Sequence, residues 1–205
     1  VTAGRNIISR NKEWCTPQKY VAAVREVFGG GIALDPCSNP HSVVGAKVEY
    51  MFPQNDGLRD SWNYPNVYVN PPYGIDKENG SSIKDWIKRC ADAHEMHGSE
   101  VIALIPVAVN TSHWKQHVFG RAQMICFLGD TRLKFLENGS EGEKGAPMAC
   151  AMVYWGRDPE KFYEVFIGHG AVVSVGHLNK PYRQRSLSSY PDDAGQAEQP
   201  YDVAH

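Results

Sequence analysis

The sequence predicts an α/β fold: a mostly parallel sheet covered by helices, with an antiparallel hairpin near the C-terminal end. Three observations carry that reading. Short β-branched runs alternate with amphipathic helical patterns from Thr16 to Phe119. The run Val101-Ile102-Ala103-Leu104-Ile105-Pro106 is apolar at every position, as a central parallel strand covered on both faces has to be. Two later strand-like stretches, Arg132 to Phe135 and Met148 to Trp155, flank a glycine-rich charged loop, Glu137 to Gly145, which is the pattern of a hairpin. A chain of 205 residues, 42% of them apolar, is long enough for one well-buried domain and short for two. That domain is expected over residues 1–178, with a polar, acidic tail over 179–205.

The elements follow in order. Thr16 can cap a helix and Pro17 suits its first position, with Tyr20, Val21, Val24, Val27 and Phe28 at helical spacing and Gly29-Gly30-Gly31 ending it. Ile32-Ala33-Leu34 then delivers Asp35 at a strand's carboxyl end, and residues 36–46 are rich in turn formers. Lys47 to Phe52 reads as a strand, and a loop carries Asn55-Asp56-Gly57-Leu58. Asn66 to Val69 is a buried strand running into Asn70-Pro71-Pro72-Tyr73, where two prolines turn the chain. Gly74 to Ser81 is a polar loop. Ile83, Trp86, Ile87 and Cys90 mark an amphipathic helix beyond it. After the apolar strand, Thr111 or Ser112 caps a short helix with Trp114, Val118 and Phe119. Met124 to Leu128 is strand-like, Asp158-Pro159 opens a helix through Phe162, Val165 and Phe166, and a last strand lies near Ala171 to Val175. No internal repeat is visible.

Composition excludes some classes and leaves others open. No run of 18 apolar residues exists, so no transmembrane helix is expected, and Val1 to Arg5 does not resemble a secretion signal. Five cysteines, at 15, 37, 90, 126 and 150, have no metal-like spacing. Their number and scatter fit a reducing cytoplasm. His113 and His117 stand four apart on a helix but lack nearby Cys or acidic partners, so surface histidines are expected there, not metal ligands. Formal net charge is −2. Residues 186–205 hold four acids and neither Lys nor Arg, so the remainder carries about +2. Near-neutrality neither demands a nucleic acid nor forbids one.

Ligands of open α/β sheets bind beyond the carboxyl ends of the strands. Asp35, Asp56 and Asn70-Pro71-Pro72-Tyr73 all fall there. The tetrapeptide resembles the signature of S-adenosylmethionine-dependent methyltransferases that act on planar exocyclic or amide nitrogens. The ordered set Trp14-Cys15-Thr16-Pro17, Leu34-Asp35-Pro36-Cys37-Ser38, Asp56-Gly57-Leu58 with Trp62, the tetrapeptide and Trp86 resembles the phage-type DNA N6-adenine methyltransferase family. The similarity covers roughly residues 13 to 156, about two-thirds of the chain.

The resemblance implies a Rossmann-like methyltransferase sheet, S-adenosyl-L-methionine as cofactor, and an adenine flipped out of double-stranded DNA as substrate. Asn70, Pro71, Pro72 and Tyr73 are then the catalytic residues, and Asn70 is expected to contact the cofactor as well. The Asn70 side-chain oxygen and the Pro71 carbonyl accept the adenine amine's N–H bonds, Pro72 stiffens the turn, and Tyr73 offers a stacking face. No metal or covalent nucleophile is required. Thr16 and Pro17 match the family's N-terminal cofactor motif while also being an ordinary helix start, and Asp35 and Pro36 fall at the cofactor. Asp56, 21 residues beyond Asp35, is placed to meet ribose or adenine, a role for which Glu49 competes, and either is also readable as a solvated loop acid. The usual glycine-rich loop is replaced by Cys37-Ser38-Asn39-Pro40-His41, where Ser38 or Asn39 can supply polar contacts or simply build the turn.

Candidate phosphate contacts are Lys84, Lys88 and Arg89, Arg132 and Lys134, and Lys180, Arg183 and Arg185, each of which is also readable as a solvated charge. The segments Gly74 to Ser82 and Glu137 to Gly145 are long enough to clamp the substrate. Trp86 and Trp114 read as helix anchors. With no room for a separate recognition domain, specificity should be loose, short or supplied by a homodimer. A bacterial host cell or a phage is the expected source. Alternatives are N-methylation of RNA adenine or protein glutamine by the same motif, and a catalytically silent nucleic-acid-binding module.

Overall fold

In the computed structural model, which describes residues 14–76, 80–130, 132–137, 140–146 and 148–178, strand β1 (Trp14–Cys15) leads through Thr16-Pro17 into helix α1 (Gln18–Val27). Strands β2 (Leu34–Asp35), β3 (Val48–Glu49) and β4 (Asn66–Val69) follow. A two-stranded ribbon, β5 (Ile75–Asp76) with β6 (Ser81–Ser82), introduces helix α2 (Ile83–His97). Next come β7 (Glu100–Pro106), a π-helical turn over Trp114–Val118, β8 (Met124–Leu128), β9 (Lys134–Glu137), β10 (Ser140–Gly145) and β11 (Cys150–Trp155). Helix α3 (Pro159–Phe166), β12 (Gly170–Ser174) and a 3-10 turn over Gly176–Leu178 end the described chain.

The main sheet has seven strands in the order β12-β8-β11-β7-β4-β2-β3. β3, β2, β4 and β7 are mutually parallel, whereas β11 runs antiparallel to both β7 and β8, and β12 antiparallel to β8. The expected mostly parallel start and antiparallel finish are both present. The apolar run is indeed central, but it is parallel only on its β4 side. An antiparallel hairpin is present, but its arms are β9 and β10, not β9 and β11, and with β1 it forms a separate three-stranded sheet. The glycine-rich stretch expected as a loop thus contains strand β10. Its glycines and charges lack strand propensity, and an edge position beside β9 overrides them.

Alternation along the strands divides the core into two layers. Val67, Val69, Val101, Ala103, Ile105, Val153 and Trp155 face α2 and the π-helical turn, meeting Trp86, Ile87, Cys90 and Trp114. Tyr68, Ile102, Leu104, Met152 and Tyr154 face the other way, onto Tyr20, Val21 and Val24 of α1 and Phe162 and Phe166 of α3. Trp86 and Trp114 are the expected anchors, the latter donating from its indole to the Pro106 carbonyl at 3.1 Å. Gly98 closes α2 in the left-handed region at φ 69°, where its N–H reaches the His94 carbonyl. At the other end the Ser82 N–H and hydroxyl both donate to the Asp85 carboxylate.

Four local expectations change. Pro17, not Thr16, occupies the cap position of α1, and the Thr16 hydroxyl is turned away to Tyr68. The Thr111 hydroxyl bonds the Ala108 carbonyl rather than capping a helix. His117 is buried, not a surface residue, with its carbonyl accepting from the Trp155 indole at 2.9 Å. The Lys47 to Phe52 strand shortens to Val48–Glu49. Among the described residues, no helix is long and apolar enough to cross a membrane. The tail expected over 179–205 lies outside the described residues.

Phe162 is fully buried and stacks on Tyr154 and Phe166 at 5.1 and 4.5 Å between ring centroids. Phe162→Ala should lower unfolding free energy by about 3–5 kcal/mol in denaturant titrations.

Candidate active site

The strand order reverses between β2 and β4. From β2 the chain steps outward to β3 and then returns to place β4 on the opposite side of β2. Such a reversal opens a crevice beyond the strands' carboxyl ends. The two segments at its lips are Asp35 to Ser38 and Asn70 to Tyr73.

Asn70 is held through its side chain. Nδ2 donates to the Trp14 main-chain carbonyl at 3.0 Å, while Oδ1 makes no hydrogen bond to a described residue. Pro71 is buried and Pro72 exposed. Tyr73 sends its hydroxyl inward to the Leu104 carbonyl at 3.3 Å and sets its ring edge-on to Phe135, 5.8 Å away, leaving the residue partly exposed. Phe135 in turn stacks on Trp14 at 5.2 Å. Burial, reinforced by the Cys150 thiol, pushes the Tyr73 phenol well above its ordinary range. Tyr73 is therefore neither an acid nor a base near neutral pH.

Across the crevice, Asp35 is 4% exposed and accepts the Cys37 N–H at 3.1 Å. Burial pushes its carboxyl up to about 7; the Cys37 N–H opposes that rise, and the Glu49 charge adds to it. Glu49 stands opposite Asp35 in the parallel β2–β3 register. Burial and the Asp35 charge likewise push the Cys37 thiol well up, so it is no nucleophile. Ser38 donates its N–H to the Tyr50 carbonyl, but its Oγ is buried without a hydrogen-bond partner.

Pro36 is buried, and its carbonyl forms the floor on which the next loop sits. A Cβ at Gly57 would lie 1.9 Å from that oxygen and 2.7 Å from the Trp86 ring, so only glycine fits. The Trp62 indole donates to the Gly57 carbonyl at 2.7 Å and fixes the approach from behind. Asp56 is thereby brought to the crevice side of the molecule, but its carboxylate is engaged locally. It accepts the Leu58 N–H at 3.0 Å and pairs with Arg59 at 3.3 Å.

The remaining candidates divide. Thr16 is buried with its hydroxyl 2.7 Å from that of Tyr68, and Pro17 follows it at the start of α1. Asn39 is a turn residue, its Oδ1 accepting from His41 N–H and from the Cys15 thiol. Lys88 pairs with Asp92. Arg89 donates to the Asp60 carbonyl and lies over the Trp62 ring, so it serves the fold. Lys84, Arg132 and Lys134 are exposed. Lys180, Arg183 and Arg185 lie outside the described residues. Among the described residues, no group of His, Cys, Asp and Glu is arranged to hold a metal ion.

Sequence reasoning did not assign roles to Phe135 or to the main-chain carbonyl of Trp14. A two-residue strand has no periodicity to read, and a carbonyl leaves no mark in the sequence.

A sequence model of the DNA N-6-adenine-methyltransferase (Dam) family matches residues 6–180. The chain belongs to this family. Adenine-specific DNA methyltransferase is thus the class of the enzyme, and the expectation drawn from the ordered motifs holds. No curated protein and no solved structure was found to match the chain. For this DNA methyltransferase, the Asn70 carboxamide, tied through its nitrogen, and the buried carboxyl of Asp35 are two polar features at the lips of the crevice.

The Asp35 carboxyl makes a direct test of that environment. Its folded-state pKa lies above its unfolded value, so it stabilises the fold when protonated. That contribution is complete below about pH 4 and lost as pH rises through about 7. Asp35→Asn, which still accepts the Cys37 N–H, should flatten this dependence. The variant should gain on the order of 2 kcal/mol over the parent at pH 8 in cofactor-free unfolding titrations, and nothing at pH 4.

Proposed function

We propose that the chain transfers a methyl group from S-adenosyl-L-methionine to the exocyclic N6 of an adenine flipped out of double-stranded DNA. The observation that carries this reading is the orientation of Asn70: its amide nitrogen is tied to Trp14, and its oxygen is left as an acceptor at the lip of the crevice. A flipped adenine presents an N–H donor of the matching kind.

The residues on the opposite lip fit the cofactor. The buried, unpartnered Ser38 Oγ and the buried Asp35 carboxyl are polar groups without a cation or donor equal to their burial. Asp35 suits an ammonium group, and Ser38 suits a carboxylate or hydroxyl. Glu49, at the end of the second parallel strand, is better placed than Asp56 for ribose hydroxyls, since the Asp56 carboxylate already holds Arg59 and the Leu58 N–H. Thr16 and Pro17 contribute through their main chain and Pro36 through its buried turn. S-adenosyl-L-methionine supplies an electrophilic methyl group when bound.

The protein's own work is positioning. Asn70 Oδ1 and the Pro71 carbonyl accept the two N6–H bonds, which draws the nitrogen lone pair out of conjugation with the ring. Pro72 keeps these acceptors in place before the base arrives. Tyr73, anchored by its hydroxyl, gives the partly exposed side of its ring to the base. N6 gains the methyl and releases one proton to water, since the Tyr73 and Cys37 side chains stay protonated. Exposed Lys84, Arg132 and Lys134 suit the DNA phosphates. Every group named comes from one chain, so a homodimer would serve recognition of the duplex, not the chemistry.

Labelled S-adenosyl-L-methionine should transfer its methyl to unmethylated duplex DNA and yield N6-methyladenine. Parallel reactions with RNA and protein should give no product. Methyl incorporation confined to RNA or protein would refute the DNA reading, and a cofactor titration without binding would refute the enzyme. Asn70→Ala should lower kcat by at least about 100-fold, with cofactor affinity within about threefold of the parent.

A further inference from the structure

Three consecutive residues ahead of α1 are each anchored to a different part of the molecule. The Trp14 ring stacks on Phe135 of β9, and its main chain pairs with Glu137. The Cys15 thiol donates to the His41 carbonyl at 3.2 Å, in the turn that follows β2. The Thr16 hydroxyl meets that of Tyr68, from β4, at 2.7 Å. A two-residue strand does not need three tethers to exist. What the tethers fix in space is the Trp14 carbonyl, and that carbonyl is the hydrogen-bond partner of the Asn70 side chain.

We propose that the Trp14 main-chain carbonyl is a positioning group for methyl transfer: it turns the Asn70 carboxamide so that Oδ1, and not the amide nitrogen, meets the incoming amine. This rests on the function proposed above. The chemistry of the contact is one-way. A carbonyl can only accept, so it admits the NH2 end of the amide and rejects the oxygen end. An unrestrained carboxamide can present either end, and the NH2 end would oppose the N–H donors of adenine. Asn70 is thus set through its side chain by the β1–β9–β10 sheet, which holds Trp14 by its main chain and its ring.

Asn70→Asp tests this, because a carboxylate is nearly the same shape but has no proton for the Trp14 carbonyl. At pH 8, with saturating cofactor, kcat should fall by about 100-fold or more. Among the described residues, the titratable groups clustered about the position are Asp35 and Cys37 from the turn after β2, Glu49 behind Asp35, Cys15 of β1, Tyr68 of β4, Tyr73 of the motif and Cys150 of β11. His41, exposed in the same turn, meets Cys15 through its main-chain carbonyl. The clustered groups are all acids, so the introduced carboxyl is held above its ordinary range. Once protonated, it can donate to Trp14 and still offer its second oxygen to the amine. The variant's kcat, relative to the parent at each pH, should therefore rise as pH falls from 8 to 6. Parent-like activity at pH 8, or a ratio that does not change with pH, overturns the proposal.

A second measurement does not need turnover. In DNA-free protein, the Asn70 side-chain 15N resonance, assigned by its loss in Asn70→Ala, should show slowed proton exchange. It should also shift in Phe135→Leu, which removes the ring beneath Trp14. Free exchange overturns the positioning role whatever the activity. A protected amide in a parent that methylates no DNA overturns the function proposed above, and the role with it, while leaving the hydrogen bond itself in place.

Discussion

Strand β7 has to satisfy two different ladders at once. On one side it pairs in parallel with β4, from Asn66↔Glu100 to Val69↔Ala103; on the other it pairs antiparallel with β11 along six residues. Helices cover both of its faces, so no position from Val101 to Ile105 can be polar. This constraint places everything else. The parallel ladder holds β4, whose other edge carries β2 with Leu34 opposite Val67, so that Asn70 emerges just beyond the level at which β2 ends in Asp35. The antiparallel ladder returns the chain so that β9 and β10 lie beside that end, where β9 can pair with β1.

The site assembled this way is dry on one lip and anchored on the other. Desolvation dominates the carboxyl of Asp35, the thiol of Cys37 and the phenol of Tyr73 alike. Two consequences follow. Ordinary acid–base catalysis is denied to the motif, which suits a displacement that needs geometry more than proton transfer. Asp35 also sits at a cost to the apo fold near neutral pH, a cost that a cationic group in the crevice would remove. If Asp35 meets the cofactor's ammonium group as proposed, local instability at that carboxylate is part of the same arrangement that makes it useful.

Much of the architecture was legible in the sequence, for reasons that differ by element. The apolar run of β7 could only be a central strand, and helix α2 announced itself through Ile83, Trp86, Ile87 and Cys90. The tetrapeptide stood out because two prolines after a strand force a turn. What could not be read was pairing among short strands. β9 and β10 carry too few periodic positions to name their partner, and β1 has two residues in all. Basic residues were equally opaque: Arg89 looks like a phosphate ligand on a helix, yet Asp60 and Trp62 hold it within the fold, whereas Lys88 stays exposed beside Asp92. Glu49 gained weight over Asp56 only once the parallel register of β2 and β3 was visible.

Gly57 bears on how the protein tolerates change. It touches no base or cofactor in the arrangement described, and its backbone does not require glycine's extra freedom. Its constraint is space alone: the Pro36 carbonyl and the Trp86 ring occupy the room a side chain would take. On the function proposed above, random mutation would find this position as unforgiving as Asn70, though for a reason that has nothing to do with reactivity. An inventory of inactive variants would therefore rank the two together. Mutational intolerance in this enzyme marks where two loops must touch as faithfully as it marks where a methyl group moves.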